Sequence, residues 1–498
     1  MPIILGFYSP PAAAYFIVGF ILLWFLRSIS LNYRVLQGYR RMLHYEKTNW
    51  PALNQDLEVL TVRAHNPPRW HARNLKRVET NITHDRLLPS QAIHAVLICF
   101  WNETRDILEP TIQAVIDSDF DKKQIVLLLA YEQRGGPEVE AMTKSLVKDF
   151  GHHFKYIEAV KHPWPMPGEV IGKGGNSTFA GRRLQQIVKE QKIDPNRVVV
   201  TVLDSDNRPH KHYFGCLTYT FCSTEEPKYA SYQPVPMYTN NIWDAPAPMR
   251  VIATGNSFWM VVLSMRQHML RNFSAHAQPL TALIDTDFWS VRTIVEDGHQ
   301  FWRTWFRYDG HHEVFPIFLP IYQDAVLTGG GYLHTLKAQF TQIRRWAYGA
   351  SDVAYVAYTG WFKPNHIPRH KVWAKFLRLL ESHISWSTAP LILAFSALIP
   401  VFLHPSNFIA NELPQVTSKL ETLAMVGIAI TFFLSMKTLP PRPARYKRRR
   451  NFWMVVQWIY LPVTTILYNA AAAINSQTRL MFKWYLDKFD VTEKAVKK

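Results

Sequence analysis

Two kinds of apolar pattern divide this chain: short apolar runs through its middle, and long ones on either side. From Ala92 to about Ser351, apolar runs alternate with turn-rich and helical stretches. Ala95–Phe100, Gln124–Leu129 and Val198–Leu203 are apolar at nearly every position, as strands buried on both faces are. Between the first two, Ile107–Ile116 has the spacing of an amphipathic helix. Strands alternating with helices predict an α/β domain with a mainly parallel sheet.

The flanks read differently. The run from Ala12 to Ile29 is long enough to cross a bilayer. No Lys or Arg precedes it, whereas Arg27, Arg34, Arg40, Arg41 and Lys47 lie at its end or beyond. The positive-inside rule then predicts an external N-terminus and a cytosolic chain after Arg34. Residues 1–31 are expected to form a membrane helix and 32–90 a linker or lid, because Glu46–Ser90 is polar, Pro-containing and weakly patterned. Residues 91–360 are the α/β domain. In 361–384, Val372, Trp373, Phe376, Leu377, Leu380 and Ile384 share a helical face apart from Lys371, Lys375 and Arg378. This predicts a helix lying at a membrane interface, with a soluble surface helix as the plainer alternative. Residues 385–475 hold about three membrane segments, Ser385–Leu403, Leu420–Met436 and Phe452–Ile474, and 476–498 form a basic tail. Four crossings leave that tail outside, against its charge. Either the Pro462-containing segment is re-entrant or interfacial, or the tail is an exception.

Charge and cysteines narrow the class. The formal charge is +18, but seven basic residues crowd between Lys437 and Arg450, where an internal loop needs them. A nucleic-acid partner is therefore not expected. Three cysteines, Cys99, Cys216 and Cys222, are odd in number and lack metal-ligand spacing, which argues against disulfides and zinc.

The candidate chemistry begins at Asp204-Ser205-Asp206. A buried strand ending in carboxylates two apart delivers them at the carboxyl edge of a sheet, where open α/β sheets bind ligands. Hard oxygen ligands suit Mg²⁺ or Mn²⁺, and a polar turn is the plain alternative. Further on, Glu296-Asp297 forms a second acidic pair. Gln342, Arg345 and Trp346 fall at i, i+3 and i+4 on one helical face, and Asn102-Glu103 follows the first strand.

Taken in chain order, Asn102-Glu103, Asp204-Ser205-Asp206, Val295-Glu296-Asp297 and Gln342 through Trp346, the motifs resemble those of the family-2 glycosyltransferases, which include cellulose, chitin and hyaluronan synthases. The stretch from His162 to Asn176 is similar to an H-P-x-x-x-P-G-E-x-x-G-K-G-x-N segment of a bacterial subgroup. The resemblance covers about Ala92 to Ser351. It implies an α/β GT-A (nucleotide-diphospho-sugar transferase) domain plus transmembrane α-helices. It further implies an inverting hexosyltransferase using a nucleotide-sugar donor, UDP-linked, with Mg²⁺ or Mn²⁺. On this resemblance Asp206 ligates metal with Asp204 beside it, and Asp297 is the general base. Asn102, Glu103, Glu132, Lys173, Asn176, Asp204, Gln342 and Arg345 serve the donor. Trp346, Gly255, Asn256 and Glu296 face the acceptor, a growing polysaccharide or a lipid-linked sugar. A multi-pass protein of the cell (inner) membrane with its catalytic domain cytoplasmic follows, bound to the lipid bilayer and to no nucleic acid. The alternatives are a non-processive enzyme acting on a lipid carrier, and a transporter or receptor with a nucleotide-binding domain.

The second strand ends Ala130-Tyr131-Glu132, not in the family's usual acidic pair, so the base is left open. Thr254-Gly255-Asn256 resembles the acceptor-side loop but lies further from Glu296 than in cellulose synthases. Chemistry alone asks for the same parts. A sugar hydroxyl needs a base as it attacks, and a departing diphosphate needs positive charge. His299, His311 and His312 read as surface or core residues, Gly329–Gly331 as a hinge before the Gln342 helix, and the Trp302–Tyr308 aromatics as core. Gly172-Lys173-Gly174-Gly175 lacks the Walker spacing.

Overall fold

The computed structural model describes residues 1–82, 86–424 and 426–486. The predicted basic tail falls largely outside them, at residues 487–498. Four parallel strands form the first half of an eight-stranded sheet: β1 (Ile93–Phe100), β2 (Ile125–Glu132), β3 (Tyr156–His162) and β4 (Val198–Asp204), in the order β3-β2-β1-β4. Val96 lies opposite both Leu127 and Thr201. Successive residues of β1 enter opposite cores. Val96 and Ile98 join Trp50, Leu57 and Phe214, while Ala95 and Leu97 join Ala180, Leu184 and Trp289. Layers on both faces explain why the runs in β1, β2 and β4 are apolar at nearly every position.

The second half was not visible in the sequence. It comprises β5 (Arg208–Pro209), β6 (Ala230–Met237), β7 (Ala277–Pro279) and β8 (Glu313–Tyr322). β7 runs antiparallel to β4 and β6, and β8 parallels β6 with a register shift after Pro234. The sheet is therefore mixed. Pro234 and Pro236 in β6, and Pro316 and Pro320 in β8, break the usual strand signal.

The expected linker is instead folded. Helices at Trp50–Val59 and Arg69–Asn81 bury Trp50, Leu53, Leu57, Leu75 and Val78 against the domain. Between them the buried Asp56 carboxylate accepts the Arg63 and Ala64 N–H groups and meets His71 Nε2 at 3.0 Å. His71 Nδ1 lies 2.8 Å from the Tyr219 hydroxyl. Few apolar residues, each well placed, hold these helices, so average composition hid them.

Among the described residues, two helices are long and apolar enough to cross a membrane by length and composition: Pro10–Glu46, with 37 residues, and Phe408–Thr438, with 31. The predicted interfacial helix and the start of the next span are one continuous helix, Arg369–Phe395. Its predicted apolar face divides: Val372 is buried, while Trp373, Leu377 and Ile384 are exposed. Phe452–Ile474 is not one regular α-helix. It passes through α turns to Val456, a 3-10 turn at Gln457–Tyr460, a short α segment and a π segment at Thr465–Ala470. The following helix, Ala471–Met481, bonds from Ser476 Oγ to the Arg344 carbonyl and from Gln477 to the His383 carbonyl at 2.8 Å.

Candidate active site

Four chain segments converge at the carboxyl ends of β1 and β4. Two are the strand ends, and two are the first turns of the Lys173–Glu190 and Glu296–Arg307 helices. Glycines permit the approach. A Cβ on Gly174 would lie 2.3 Å from the Ser290 carbonyl oxygen and 3.2 Å from Glu296 Cβ; one on Gly175 would lie 2.4 Å from Glu169 Oε2. Glu169 in turn sits 3.0 Å from His162 Nε2. The His162–Asn176 stretch is thus a fitted collar that delivers Lys173.

Lys173 Nζ donates to Asp204 Oδ1 at 2.5 Å, and Ser274 Oγ donates to Asp204 Oδ2 at 2.6 Å. Burial opposes the charge on Lys173, but the Asp204 carboxylate, by its charge and its hydrogen bond, outweighs it and holds the Lys173 pKa raised. Asp206 is buried; its Oδ2 accepts the Asp324 N–H at 3.0 Å and its carbonyl accepts from Asn240 at 3.0 Å. Between them, Ser205 donates to Glu103 Oε1 at 2.9 Å. The other oxygen of Glu103 accepts the Trp101 and Asn102 N–H groups. Glu103 therefore ties the end of β1 to the carboxylate turn, while the Asn102 side chain is exposed.

The second acidic pair opens the Glu296–Arg307 helix. Burial first, and the neighbouring Asp297 second, push the Glu296 carboxyl up to about 8. Asp297 is raised by burial too. The Gly298 N–H, 2.7 Å from its Oδ1, and the charges of Lys173 and Arg345 act against that rise. The pair thus resists holding two negative charges at once, and the Gly298 N–H, Lys173 and Arg345 favour the charge on Asp297.

Tyr238, immediately after β6, joins the clusters. Its phenol is raised by burial and then by Asp204, Asp206 and Asp297, with Arg345 opposing, so it lies within the field of all four. Its ring is 6.1 Å from that of Trp346. Arg345 and Trp346 come from the Tyr332–Ala347 helix, which follows Gly329–Gly331; Gly331 adopts φ +90° at its N-cap. Gln342 on this helix accepts from Gln339 at 3.0 Å.

Other predicted residues are placed as follows. Glu132 pairs with Arg134, whose guanidinium lies 4.3 Å from the Trp101 ring centroid. A Cβ on Gly135 would come within 2.1 Å of the Trp101 carbonyl oxygen, which fixes that stack. Asn176 is buried, and its amide donates to the carbonyls of Ala130 at 2.9 Å and Phe100 at 3.3 Å, clamping the ends of β1 and β2. Gly255 and Asn256 lie within a helix, Ala247–Ser264, not a loop. One residue on, Ser257 Oγ accepts the Tyr238 N–H at 3.0 Å. Tyr238, Ser274 and Asn240 escaped sequence reading: none belongs to a carboxylate motif, and the chain reaches them only through the mixed half of the sheet.

Among the described residues no three His, Cys, Asp or Glu side chains gather as a metal centre, and the cysteines are buried and free. Asp204 and Asp206 give hard oxygen donors from one turn. That fits Mg²⁺ or Mn²⁺, which take one or two carboxylates and complete their shell with phosphate and water.

No family model matches the chain, and no curated protein matches it in sequence. Solved structures give distant likenesses. A Pyrobaculum calidifontis mannosyltransferase in complex with GDP-Man and Mn²⁺ aligns over 91% of this chain and 100% of its own, at 10% identity and TM-score 0.42. Residues 1–349 of S. aureus TarS with UDP-GlcNAc align over 78% and 92%, at 8% identity and TM-score 0.38. GalNAc-T7 with UDP, GalNAc and Mn²⁺ aligns over 71% and 60%, at 11% identity and TM-score 0.33.

Proposed function

We propose that the chain is an inverting glycosyltransferase of the membrane, moving a sugar from a nucleotide-sugar donor, UDP-linked, to a growing polysaccharide or lipid-linked acceptor. The observation that carries this reading is the convergence of the Lys173–Asp204 pair, Asp206, Asp297 and Arg345 around Tyr238. Cation and carboxylate are partly withdrawn from water there, which strengthens their fields over those of exposed charges.

The roles follow from position. Asp297, whose anion the Gly298 N–H, Lys173 and Arg345 favour, takes the proton of the acceptor hydroxyl as it attacks. Arg345 and Lys173 offset charge that builds on the departing diphosphate, and Gln342 extends the same helix face. Asp206, with Asp204, would hold a divalent ion, which supplies further positive charge to the diphosphate when bound. Trp101, carrying Arg134, offers a flat surface for the base, with Glu132, Asn102 and Glu103 at its edge. Asn176 shapes that edge by holding two strand ends together. Trp346 and Tyr238 offer ring faces to the acceptor, with Glu296, Gly255 and Asn256 on that side. One base and one displacement invert the anomeric carbon, and no covalent sugar intermediate is needed. The apolar Pro10–Glu46 and Phe408–Thr438 helices bear on membrane association alone, to which we add a multi-pass place in the cell (inner) membrane, with the site on the cytosolic side.

Release of nucleoside diphosphate from a panel of nucleotide sugars, with and without Mn²⁺, tests the reading directly. Asp206→Ala is expected to lose donor binding, and Asp297→Asn to bind donor without turnover. Turnover surviving in Asp297→Asn rejects the base assignment; no turnover with any sugar nucleotide rejects the function.

A further inference from the structure

A second charged cluster lies apart from the acidic residues above, and its imbalance has the opposite sign. The Pro10–Glu46 helix places Arg27 and Arg34 seven residues apart on one face. Arg266 and His268 follow the end of the Ala247–Ser264 helix, and Lys375 and Arg378 lie one turn apart on the Arg369–Phe395 helix. Three contacts draw these segments together. Arg266 donates to Ser30 Oγ at 3.0 Å, Lys375 to the His268 carbonyl at 3.3 Å, and Arg27 to Glu381 at 2.8 Å.

Carboxylates are scarce there. Glu381 is engaged by Arg27, and Glu313 acts on Lys375 while accepting from Gln267 at 3.5 Å. Arg34 Nε is buried without a hydrogen-bond acceptor. Burial lowers the pKa values of Arg266, His268 and Lys375. The neighbouring cations lower each further: Arg34 and Arg27 for Arg266, Arg378 for His268, and Arg271 and Arg378 for Lys375, which falls to about 8. Like charges at such spacing oppose folding unless an anion joins them. Apolar side chains stand exposed nearby on the same helices, Leu26 and Ile29 on one and Leu377 and Ile384 on the other.

We propose that this three-segment seam binds the phosphate of an anionic phospholipid, its acyl chains lying along the exposed apolar side chains. Guanidinium groups suit phosphate oxygens in geometry and charge. The apolar flanks favour a lipid phosphate over the free ion. The site is independent of the sugar-transfer reading.

The test uses the full chain purified in neutral detergent, then mixed with phosphatidylglycerol, phosphatidylcholine or inorganic phosphate. Bound lipid is counted by native mass spectrometry, and the melting temperature is followed. Wild type should retain phosphatidylglycerol and gain thermal stability from it, and from neither other addition. The variant Arg34→Gln/Arg266→Gln/Arg378→Gln should bind it roughly a hundredfold more weakly, at about fivefold per cation removed. Without lipid, that variant should melt no lower than wild type, since it has shed mutual repulsion. Lys447→Gln/Arg448→Gln/Arg449→Gln removes the same charge from exposed positions and should keep binding. Equal loss in both triple variants overturns the proposal, as does an unchanged lipid-induced shift in the first, or its melting lower than wild type without lipid. An equal effect of inorganic phosphate overturns the lipid assignment.

Discussion

The carboxyl edge of the parallel strands and the seam beside the Pro10–Glu46 helix both concentrate charge, and they resolve it in opposite ways. At the edge, Asp204, Asp206, Glu296 and Asp297 are balanced from within. Lys173 and Arg345 face them, Ser274 and backbone N–H groups bond them, and the Glu296–Asp297 pair resists holding two charges at once. At the seam, five basic side chains and His268 share few acids. Internal compensation pre-organises a site whose charges must act on a reacting group. Missing compensation leaves a vacancy for a counter-ion from outside.

The contrast can be broken by substitution. The largest effect is expected from Asp297→Asn, which should lower turnover by about a hundredfold to ten-thousandfold with donor affinity kept, measured by nucleotide release and donor titration. Lys173→Met removes the cation facing Asp204 and should cost about 2–3 kcal/mol of stability as well as donor binding, read from thermal or denaturant unfolding. Gly174→Ala forces a methyl against the Ser290 carbonyl and should cost about 1–3 kcal/mol by the same measurement. Glu296→Gln bears on proton balance. The folded pKa of Glu296 lies above its unfolded value, so its contribution to stability is present at low pH and declines as pH rises from about 4.5 to about 8. The Gln variant should flatten that decline in melting temperature across the window. Arg378→Gln at the seam should shift stability least, by a few tenths of a kcal/mol in neutral detergent, and upward.

How much of this could be read in the sequence depended on which physical signal each part carried. β1, β2 and β4 announce themselves because both their faces are buried, leaving unbroken apolar runs. β6 and β8 interrupt theirs with prolines at irregular pairings and stayed hidden. Asp204, Asp206 and Asp297 were legible because paired carboxylates are costly to bury and so stand out. Tyr238 and Ser274 look ordinary in the chain and meet the carboxylates only through folding. Glu103 was visible as a residue, but its bond to Ser205, tying one strand end to the next, was not. The helices at Trp50 and Arg69 were missed because a few buried anchors such as Trp50 and His71 outweigh a polar average.

The Pro10–Glu46 helix runs about 55 Å without interruption. Gly38 lets its inner end press against Val261 of the helix whose Ser257 holds Tyr238. On the membrane reading, a single rod both crosses the bilayer and braces the wall of the site. It behaves as a mast stepped into the domain, not as a leash. Inserting one residue between Arg34 and Gly38 would turn everything beyond it by about 100° and advance it by about 1.5 Å. The same insertion at the exposed Gly329–Gly331 turn would be absorbed locally.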